Sequence, residues 1–386
     1  MTASLYIHIP FCLKKCDYCD FYSIPIHDTE NNIDAYLLQL NHTIQQQIKH
    51  FCITYIPTIY IGGGSPSSLG AKKLEVFLQK LQTVLPNAPN EFTIETNPEF
   101  TNADFLSACN NNGVSRISMG VQTFNESSRT SVGRLGNSFL LHERLALLSK
   151  KYSQNFSVDL ISGLPFQTEK IVCDDIKSVL QYKPAHISLY DLTIEKNTKL
   201  YKNVNTGKIF LPSPEESETI WLSGRDFLEQ YGYEQYEVSN FCFDQTKRSL
   251  HNIRYWRMEN WIGIGASASG TIINDTNGTG QRITFAQDVK KFIKSAQPTI
   301  EQLDKTNLLK DSLLMGFRYL EGLDDQLFKM RFGKNVFDLI PQTLQTYQKK
   351  GYIQSDKIAL TKTGLLFLNT FLRSCFSELD IPSPLR

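Results

Sequence analysis

The apolar residues in the first half of the chain follow two alternating patterns. Short runs typical of buried strands are each followed by a longer segment whose apolar residues recur every three or four positions, as on one face of a helix. The strand-like runs are 5–9, 58–61, 91–95, 114–119, 156–160 and 186–192, and the helical segments lie near 32–50, 67–84, 102–112, 137–151 and 168–181. This alternation predicts βα units and a parallel sheet, and six consecutive units favour a barrel-type α/β fold.

The regular alternation ends near residue 193. Beyond it the sequence predicts an irregular insertion at 195–213, a helix at 214–231, a strand at 233–240, a turn or exposed loop at 274–280, helices from about residue 300, two short strands about a polar turn at 352–360 and a final helix at 362–374. We therefore predict a partial barrel at 1–195, an extension of the barrel at 196–298 and a small, mainly helical, winged-helix-like domain at 299–386.

Composition narrows the classes of function. The 386 residues include 40 Lys and Arg against 39 Asp and Glu, for a formal net charge of +1, so no basic surface recommends a nucleic-acid or anionic-membrane partner. The chain has no signal-peptide pattern and no apolar run long enough for a transmembrane helix. These observations predict a cytoplasmic protein without a nucleic-acid partner or a transmembrane segment.

Three of the eight cysteines form one short motif. Cys12, Cys16 and Cys19 have the spacing Cys-x3-Cys-x2-Cys directly after the first predicted strand. Iron–sulfur clusters are held by thiolates, and a tight loop brings several of them to one cluster. A chance group of buried thiols and a zinc site are the alternatives, but structural zinc commonly takes four ligands in two pairs, and no second pair exists here. Three thiolates would leave one iron of a cubane open to a small ligand.

The other five cysteines are scattered singly. They are Cys52, Cys109, Cys173, Cys242 and Cys375. In a reducing compartment we expect them to be buried apolar thiols and not a disulfide framework.

The cysteine motif and its surroundings resemble a known family. Cys-x3-Cys-x2-Cys with Tyr18 before the last cysteine is similar to the signature of radical S-adenosylmethionine (SAM) proteins, and the string from Tyr6 to Cys12, Tyr-Ile-His-Ile-Pro-Phe-Cys, narrows the resemblance to their HemN/HemW branch. The resemblance implies an incomplete (β/α)6 barrel, a [4Fe–4S] cluster held by Cys12, Cys16 and Cys19, and SAM on the open iron.

The resemblance also implies a set of SAM-binding residues. On composition alone, a triple glycine usually indicates a turn, and an acidic residue at a strand end is usually solvated. These residues nevertheless match family motifs in order and spacing. The residues so implied are Tyr6, Tyr18, Gly63, Gly64, Ser65, Glu95, Gln122, Arg134 and Asp159.

Two later strings match the same branch, residues 236–241 and 251–256. A histidine beside aromatic residues is more often structural than a ligand, but neutral imidazole is also a common axial ligand of heme iron. The resemblance implies that His251, in His-Asn-Ile-Arg-Tyr-Trp, contacts heme. We expect the glycine-rich stretch 263–266 to lie near the cofactor as well.

Three hypotheses for the function follow. The first is a heme chaperone that transfers heme to an acceptor apoprotein and receives electrons from a small redox protein. The second is an oxygen-independent coproporphyrinogen III dehydrogenase, which makes protoporphyrinogen IX in porphyrin biosynthesis. The third is a cluster-bearing binding module without SAM chemistry. Asp20 and Phe21 stand where the dehydrogenase has a fourth cysteine, only four residues precede Leu5, and His251 begins the heme-associated motif, so the chaperone is favoured. No catalytic residue is assigned.

Overall fold

A sheet of six parallel strands forms the centre of the protein. The computed structural model describes residues 1–28 and 30–385. The parallel strands, in spatial order, are β1 (Ser4–Ile9), β4 (Thr58–Gly63), β5 (Glu91–Thr96), β6 (Arg116–Gln122), β7 (Phe156–Ser162) and β8 (His186–Asp191). Along the chain, β1 is followed by the short strands β2 (Phe11–Cys12) and β3 (Ile24–Pro25), which pair with each other in a separate two-stranded sheet. The six predicted strands are confirmed, with ends that differ by a few residues.

Helices connect these strands in the order that the apolar periodicity predicts. They are α1 (Glu30–His50), α2 (Ala71–Gln82), α3 (Ala103–Asn111), α4 (Glu126–Ser131), α5 (Ser138–Tyr152) and α6 (Glu169–Leu180). Except for the short polar α4, each packs an apolar face against the sheet, as α2 does with Leu74, Phe77, Leu78 and Leu81. Polar caps start the later ones: Asn102 accepts a hydrogen bond from the Phe105 amide at the start of α3. The short helix α4 was not predicted.

The sheet continues beyond both edges of the six central strands. On one edge, α7 (Lys199–Asn205) and α8 (Pro214–Gln230) precede the antiparallel strands β9 (Glu234–Gln235) and β10 (Asn240–Cys242). On the other edge, after α9 (Leu250–Trp256), β11 (Trp261–Ile264) pairs in parallel with β1, and β12 (Ser269–Asn274), β13 (Thr279–Thr284) and β14 (Thr299–Leu303) follow in antiparallel order, with α10 (Val289–Ser295) before the last strand. The result is one sheet of 12 strands.

Several predictions for this region need correction. The irregular insertion at 195–213 contains α7, and the single strand at 233–240 is wrong because β9 and β10 are separated by residues 236–239, which fold back around the buried Glu237. The glycines at 263–266 approach neighbouring backbone closely, since a Cβ at Gly263 would lie 2.1 Å from the Ser269 carbonyl oxygen. Their place near heme stays a prediction. The turn at 274–280 is confirmed as the β12–β13 connection.

The C-terminal part has a separate apolar core. Its helices are α11 (Lys305–Gly316), α12 (Asp325–Phe332), α13 (Val336–Leu339), α14 (Pro341–Lys349), α15 (Lys362–Leu366) and α16 (Leu368–Glu378). Their core includes Leu313, Phe317, Phe371 and Phe376. The two short strands predicted at 352–360 reduce to one bridge between Ile353 and Leu360. Among the described residues, no helix combines the length and apolar character needed to cross a bilayer.

The scattered cysteines are mostly, but not all, buried. Cys109, Cys242 and Cys375 are buried and Cys173 is half-buried. Cys52 is exposed, so its predicted burial is wrong. It lies in the turn after α1 with a φ of +48°, and its carbonyl accepts from the Met1 amino group at 2.6 Å.

Candidate cofactor site

A pocket of about 550 Å³ lies at the carboxyl ends of the parallel strands. This is the face on which barrels of this type carry their active sites, and the volume suits a cofactor-sized ligand. Of the residues predicted to bind the cluster or SAM, the pocket is lined by Cys12, Cys16, Cys19, Tyr18, Gly63, Gly64, Glu95, Gln122, Arg134 and Asp159. The fold therefore brings together residues that are up to 147 positions apart, from Cys12 to Asp159.

The cysteines lie on the segment 12–22, here called the cysteine loop. Its start and end are held together because β2 pairs with β3, and the Cys19 amide donates to the Cys16 carbonyl to form a turn. Asp17 anchors the middle: its buried carboxylate contacts Lys199 Nζ at 2.9 Å, and its backbone carbonyl accepts from the Leu200 amide. Segments far apart in sequence thus fix the loop.

The three thiols line one pocket without converging on a point. Among the described residues, no three His, Cys, Asp or Glu side chains are close enough to hold a single metal ion. A cubane does not need that, since each thiolate binds a different iron at a different corner. Burial raises the pKa of Cys12, and it raises the pKa of Cys19 to about 11, so iron would displace the thiol protons on binding.

Arg134 joins the cysteine loop to two strand ends. Its guanidinium donates to Cys16 Sγ at 3.6 Å, to Asn97 Oδ1 at 2.9 Å and to the Gly120 carbonyl. Burial lowers its pKa, but the neighbouring Tyr18 and Cys16 raise it, and the net result is a raised pKa. Its Nε atom is buried and has no hydrogen-bond partner, so Arg134 stays charged with one donor free for a ligand.

Glu95 lies at the carboxyl end of β5 between two donors. The Tyr60 hydroxyl donates to Oε1 at 2.7 Å and the Gly63 amide donates to Oε2 at 3.1 Å. Burial raises the pKa of Glu95 to about 7; both donors oppose this shift, and the nearby Asp159 adds to it. Burial also raises the pKa of Asp159, whose carboxylate accepts from the Ser118 hydroxyl at 3.1 Å. A cationic ligand in the pocket would therefore stabilise the ionised forms of these two carboxyl groups.

We expect Glu95 to make the protein less stable at neutral than at acidic pH. Between the unfolded pKa of 4.5 and the folded value of about 7, the folded chain keeps a proton that the unfolded chain has lost, so stability falls as pH rises through this window. The Glu95→Gln variant lacks this contribution. Urea unfolding should therefore show that the free energy of unfolding falls more between pH 5 and pH 8 in the wild type than in the variant. An equal fall in both proteins would contradict the raised pKa of Glu95.

Gln122 and the glycine turn, residues 62–65, show the strongest signs of a ligand site. Gln122 has a φ of +72°, and its Oε1 atom is buried without a hydrogen-bond partner. Gly63 has a φ of +112°, which favours glycine. Backbone strain and unpaired buried polar atoms cluster at binding sites because the ligand completes the hydrogen bonds. The residues present therefore fit SAM.

Three predicted contacts lie elsewhere. The buried Ser65 hydroxyl bonds with Ser67 Oγ at 3.0 Å, and Tyr6 is bonded through its hydroxyl to His8 Nδ1 at 3.0 Å. His251 lies at the amino ends of the strands: its Nδ1 is 2.8 Å from Thr58 Oγ1, its Nε2 is 3.0 Å from Tyr255 Oη, and it is 1 % exposed. Their roles as SAM or heme contacts stay predictions.

Sequence reasoning missed part of the pocket. Tyr60, Ser118 and Tyr190 line it too. Tyr60 and Ser118 each stand two residues before a glycine near the carboxyl end of a strand, Gly62 in β4 and Gly120 in β6, and residues two apart share one face of a strand. That alternation could have indicated them.

Comparisons with known proteins agree with this geometry. The chain matches the Radical SAM superfamily over residues 6–179 and the HemN C-terminal domain over 303–367. It is 33% identical to the heme chaperone HemW of Lactococcus lactis subsp. lactis, covering 92% of this chain and 93% of that protein. Identity to the Escherichia coli K12 heme chaperone HemW is 32%, covering 97% and 98%.

A solved structure shows the same fold. The radical SAM enzyme coproporphyrinogen III oxidase (HemN) from E. coli superposes with a TM-score of 0.79 at 22% identity, covering 97% of this chain and 89% of that chain. The predicted α/β partial barrel with a mainly helical C-terminal part is therefore confirmed.

Proposed function

The chain belongs to the heme chaperone HemW family within the radical SAM superfamily, and from this premise we propose that it binds heme and transfers it to an acceptor protein. The superfamily uses a [4Fe–4S] cluster and SAM. The observation that carries the proposal for this chain is the single pocket that joins three cysteine thiols to Glu95 and Arg134. An acceptor apoprotein and a small redox protein that donates electrons are the partners in this proposal.

Different residues of the pocket would bind the cluster and SAM. Cys12, Cys16 and Cys19 would hold the cluster, which supplies one-electron chemistry when it is bound. The guanidinium of Arg134 suits the SAM carboxylate, because its planar fork matches a carboxylate better than a lysine does. Gln122 offers an acceptor that has no partner within the protein.

Acidic groups lie where a cation would be favoured. SAM carries a sulfonium and an amino group. Among the carboxyl groups that line the pocket, Glu95 on β5 and Asp159 on β7 are separated by one strand, β6. Their raised pKa values show that, without a cation, burial makes their ionised forms costly. A cationic ligand would offset that cost.

The proposed heme contact His251 needs a conformational change. Both of its ring nitrogens already have partners, and its ring packs 5.2 Å from that of Tyr60 and 4.8 Å from that of Tyr255. Heme iron can reach an imidazole nitrogen only when that nitrogen loses its hydrogen bond and becomes accessible. Helix α9, which carries His251, would have to shift.

We expect an optical titration to show one heme per chain, with the His251→Ala variant binding at least about tenfold more weakly, which corresponds to about 1.4 kcal/mol. His186→Ala is the matched control, because His186 is equally buried and bonded through both nitrogens, to Ser157 Oγ at 2.7 Å and Tyr236 Oη at 2.8 Å. Equal heme affinity in the two variants would remove His251 from the proposal.

The proposed activity is tested by anaerobic incubation of the reconstituted, heme-loaded protein with a heme-free acceptor. Heme should move to the acceptor, and coproporphyrinogen III with SAM and a reductant should yield no more than one protoporphyrinogen per chain. Repeated turnover would contradict the chaperone and favour the dehydrogenase. The comparisons do not favour that alternative, because the likeness to HemN at 22% identity shows the fold alone.

A further inference from the structure

His8 lies between the cysteine loop and the glycine turn but is not among the residues that line the pocket. It is on β1, four residues before Cys12, and is 4 % exposed. Both ring nitrogens are used: Nε2 is 2.9 Å from the Tyr22 carbonyl oxygen, and Nδ1 is 3.0 Å from the Tyr6 hydroxyl. Tyr22 ends the cysteine loop, so His8 holds the segment that follows Cys19.

These partners define the tautomer of His8. A carbonyl oxygen only accepts, so Nε2 carries the proton and donates to Tyr22. Nδ1 therefore accepts from the Tyr6 hydroxyl. Burial lowers the pKa of His8, which agrees with a neutral ring that uses one donor and one acceptor.

The other face of the His8 ring meets the glycine turn. A Cβ at Gly63 would lie 2.4 Å from His8 Cε1 and 2.5 Å from Nδ1, so the imidazole fills the space that any side chain at position 63 would need. The amide of the same glycine donates to Glu95 at the pocket wall. The His8 ring thus contacts both the glycine turn, which borders the proposed SAM site, and the end of the cysteine loop, which carries the proposed cluster ligands.

Further contacts hold the His8 backbone in place. Its carbonyl accepts from the buried Tyr36 hydroxyl at 2.9 Å, and the Tyr36 oxygen also accepts from the Ala266 amide at 2.9 Å. Tyr36 therefore holds the end of β1 in place. Because the His8 ring contacts both the cysteine loop and the glycine turn, a displacement of the ring would also displace these two segments. Asp17 anchors the middle of the loop through Lys199, whereas His8 anchors its end.

We propose that His8 is a positioning residue that fixes the end of the cysteine loop against the glycine turn, so that cluster and SAM keep one relative placement. This role rests on the proposed cofactor site. It requires a neutral group with a donor and an acceptor at the positions of Nε2 and Nδ1. Glutamine can supply both, whereas leucine supplies neither.

The test compares His8→Leu and His8→Gln after anaerobic reconstitution. Iron and sulfide content, the rate at which a chelator removes the iron, and SAM affinity by equilibrium dialysis are measured. For His8→Leu we expect SAM affinity to fall and chelation to accelerate by about 10- to 100-fold, the size typical of lost supporting contacts around metal sites. His8→Gln should restore both to within about threefold of the wild type.

His186→Leu is the matched control, since it removes a buried histidine with two hydrogen bonds outside the pocket. It should lower thermal stability without changing chelation rate or SAM affinity. If His8→Leu behaves like His186→Leu, or His8→Gln is as impaired as His8→Leu, the positioning role is wrong.

Two further results distinguish failure of the His8 role from failure of the proposed cofactor site. If the wild type takes up no cluster, the cofactor site itself fails. If His8→Leu does not fold, ¹⁵N NMR of histidine-labelled wild-type protein still decides, because a His8 ring protonated at Nδ1 would overturn the proposed contacts.

Discussion

Replacement of Cys16 by serine should abolish the iron–sulfur cluster. The wild type, reconstituted anaerobically, should contain about four iron and four sulfide per chain, and the variant less than about one of each, because two remaining thiolates hold a cubane poorly. The measurement is iron and sulfide content together with the loss of the brown chromophore. The change is local, since Cys16 is half-buried and lines the pocket.

Cys52→Ser is the control for this variant. Cys52 is an exposed thiol outside the pocket, so its loss should leave iron and sulfide unchanged. Iron and sulfide near four each in Cys16→Ser would show that the cysteine loop is not the ligand set.

Replacement of Arg134 by lysine should weaken SAM binding by about 10- to 100-fold while the cluster remains. Lysine keeps the charge but loses the fork that reaches Cys16 Sγ, Asn97 Oδ1 and the Gly120 carbonyl together. It also loses the buried Nε donor that has no partner within the protein. Equilibrium dialysis of SAM against reconstituted protein measures the effect.

Arg144→Lys is the control for Arg134→Lys. Arg144 lies on α5 and pairs with Glu143 at 3.0 Å, outside the pocket, so its replacement should leave SAM affinity unchanged. Unchanged affinity in Arg134→Lys would mean that Arg134 supports the loop without binding SAM.

The first half of the fold could be predicted because its strands are apolar and its helices are periodic. The added strands β11 to β14 could not, since β13 reads Thr-Gly-Gln-Arg-Ile-Thr and β14 buries only Leu303, so neither shows a two-residue apolar pattern. The break between β9 and β10 escaped prediction because a buried glutamate, Glu237, lies within an otherwise strand-like run.

The candidate site likewise has residues that could be predicted from the sequence and residues that could not. The spacing of the cysteines placed Cys12 at the site, whereas Gly63 could be placed there only because it matches a family motif. Tyr60 was missed because an aromatic residue in a strand is usually counted as core. The position of His251 at the opposite ends of the strands could not be read from sequence, since it depends on where α9 packs against the sheet.

The central claim is that the pocket holds a cluster with one iron left for SAM. Electron paramagnetic resonance of the reduced, reconstituted protein with and without SAM tests it most directly. The account predicts that SAM changes the spectrum of the reduced cluster in the wild type and much less in Arg134→Lys. A wild-type spectrum that is identical with and without saturating SAM would contradict it.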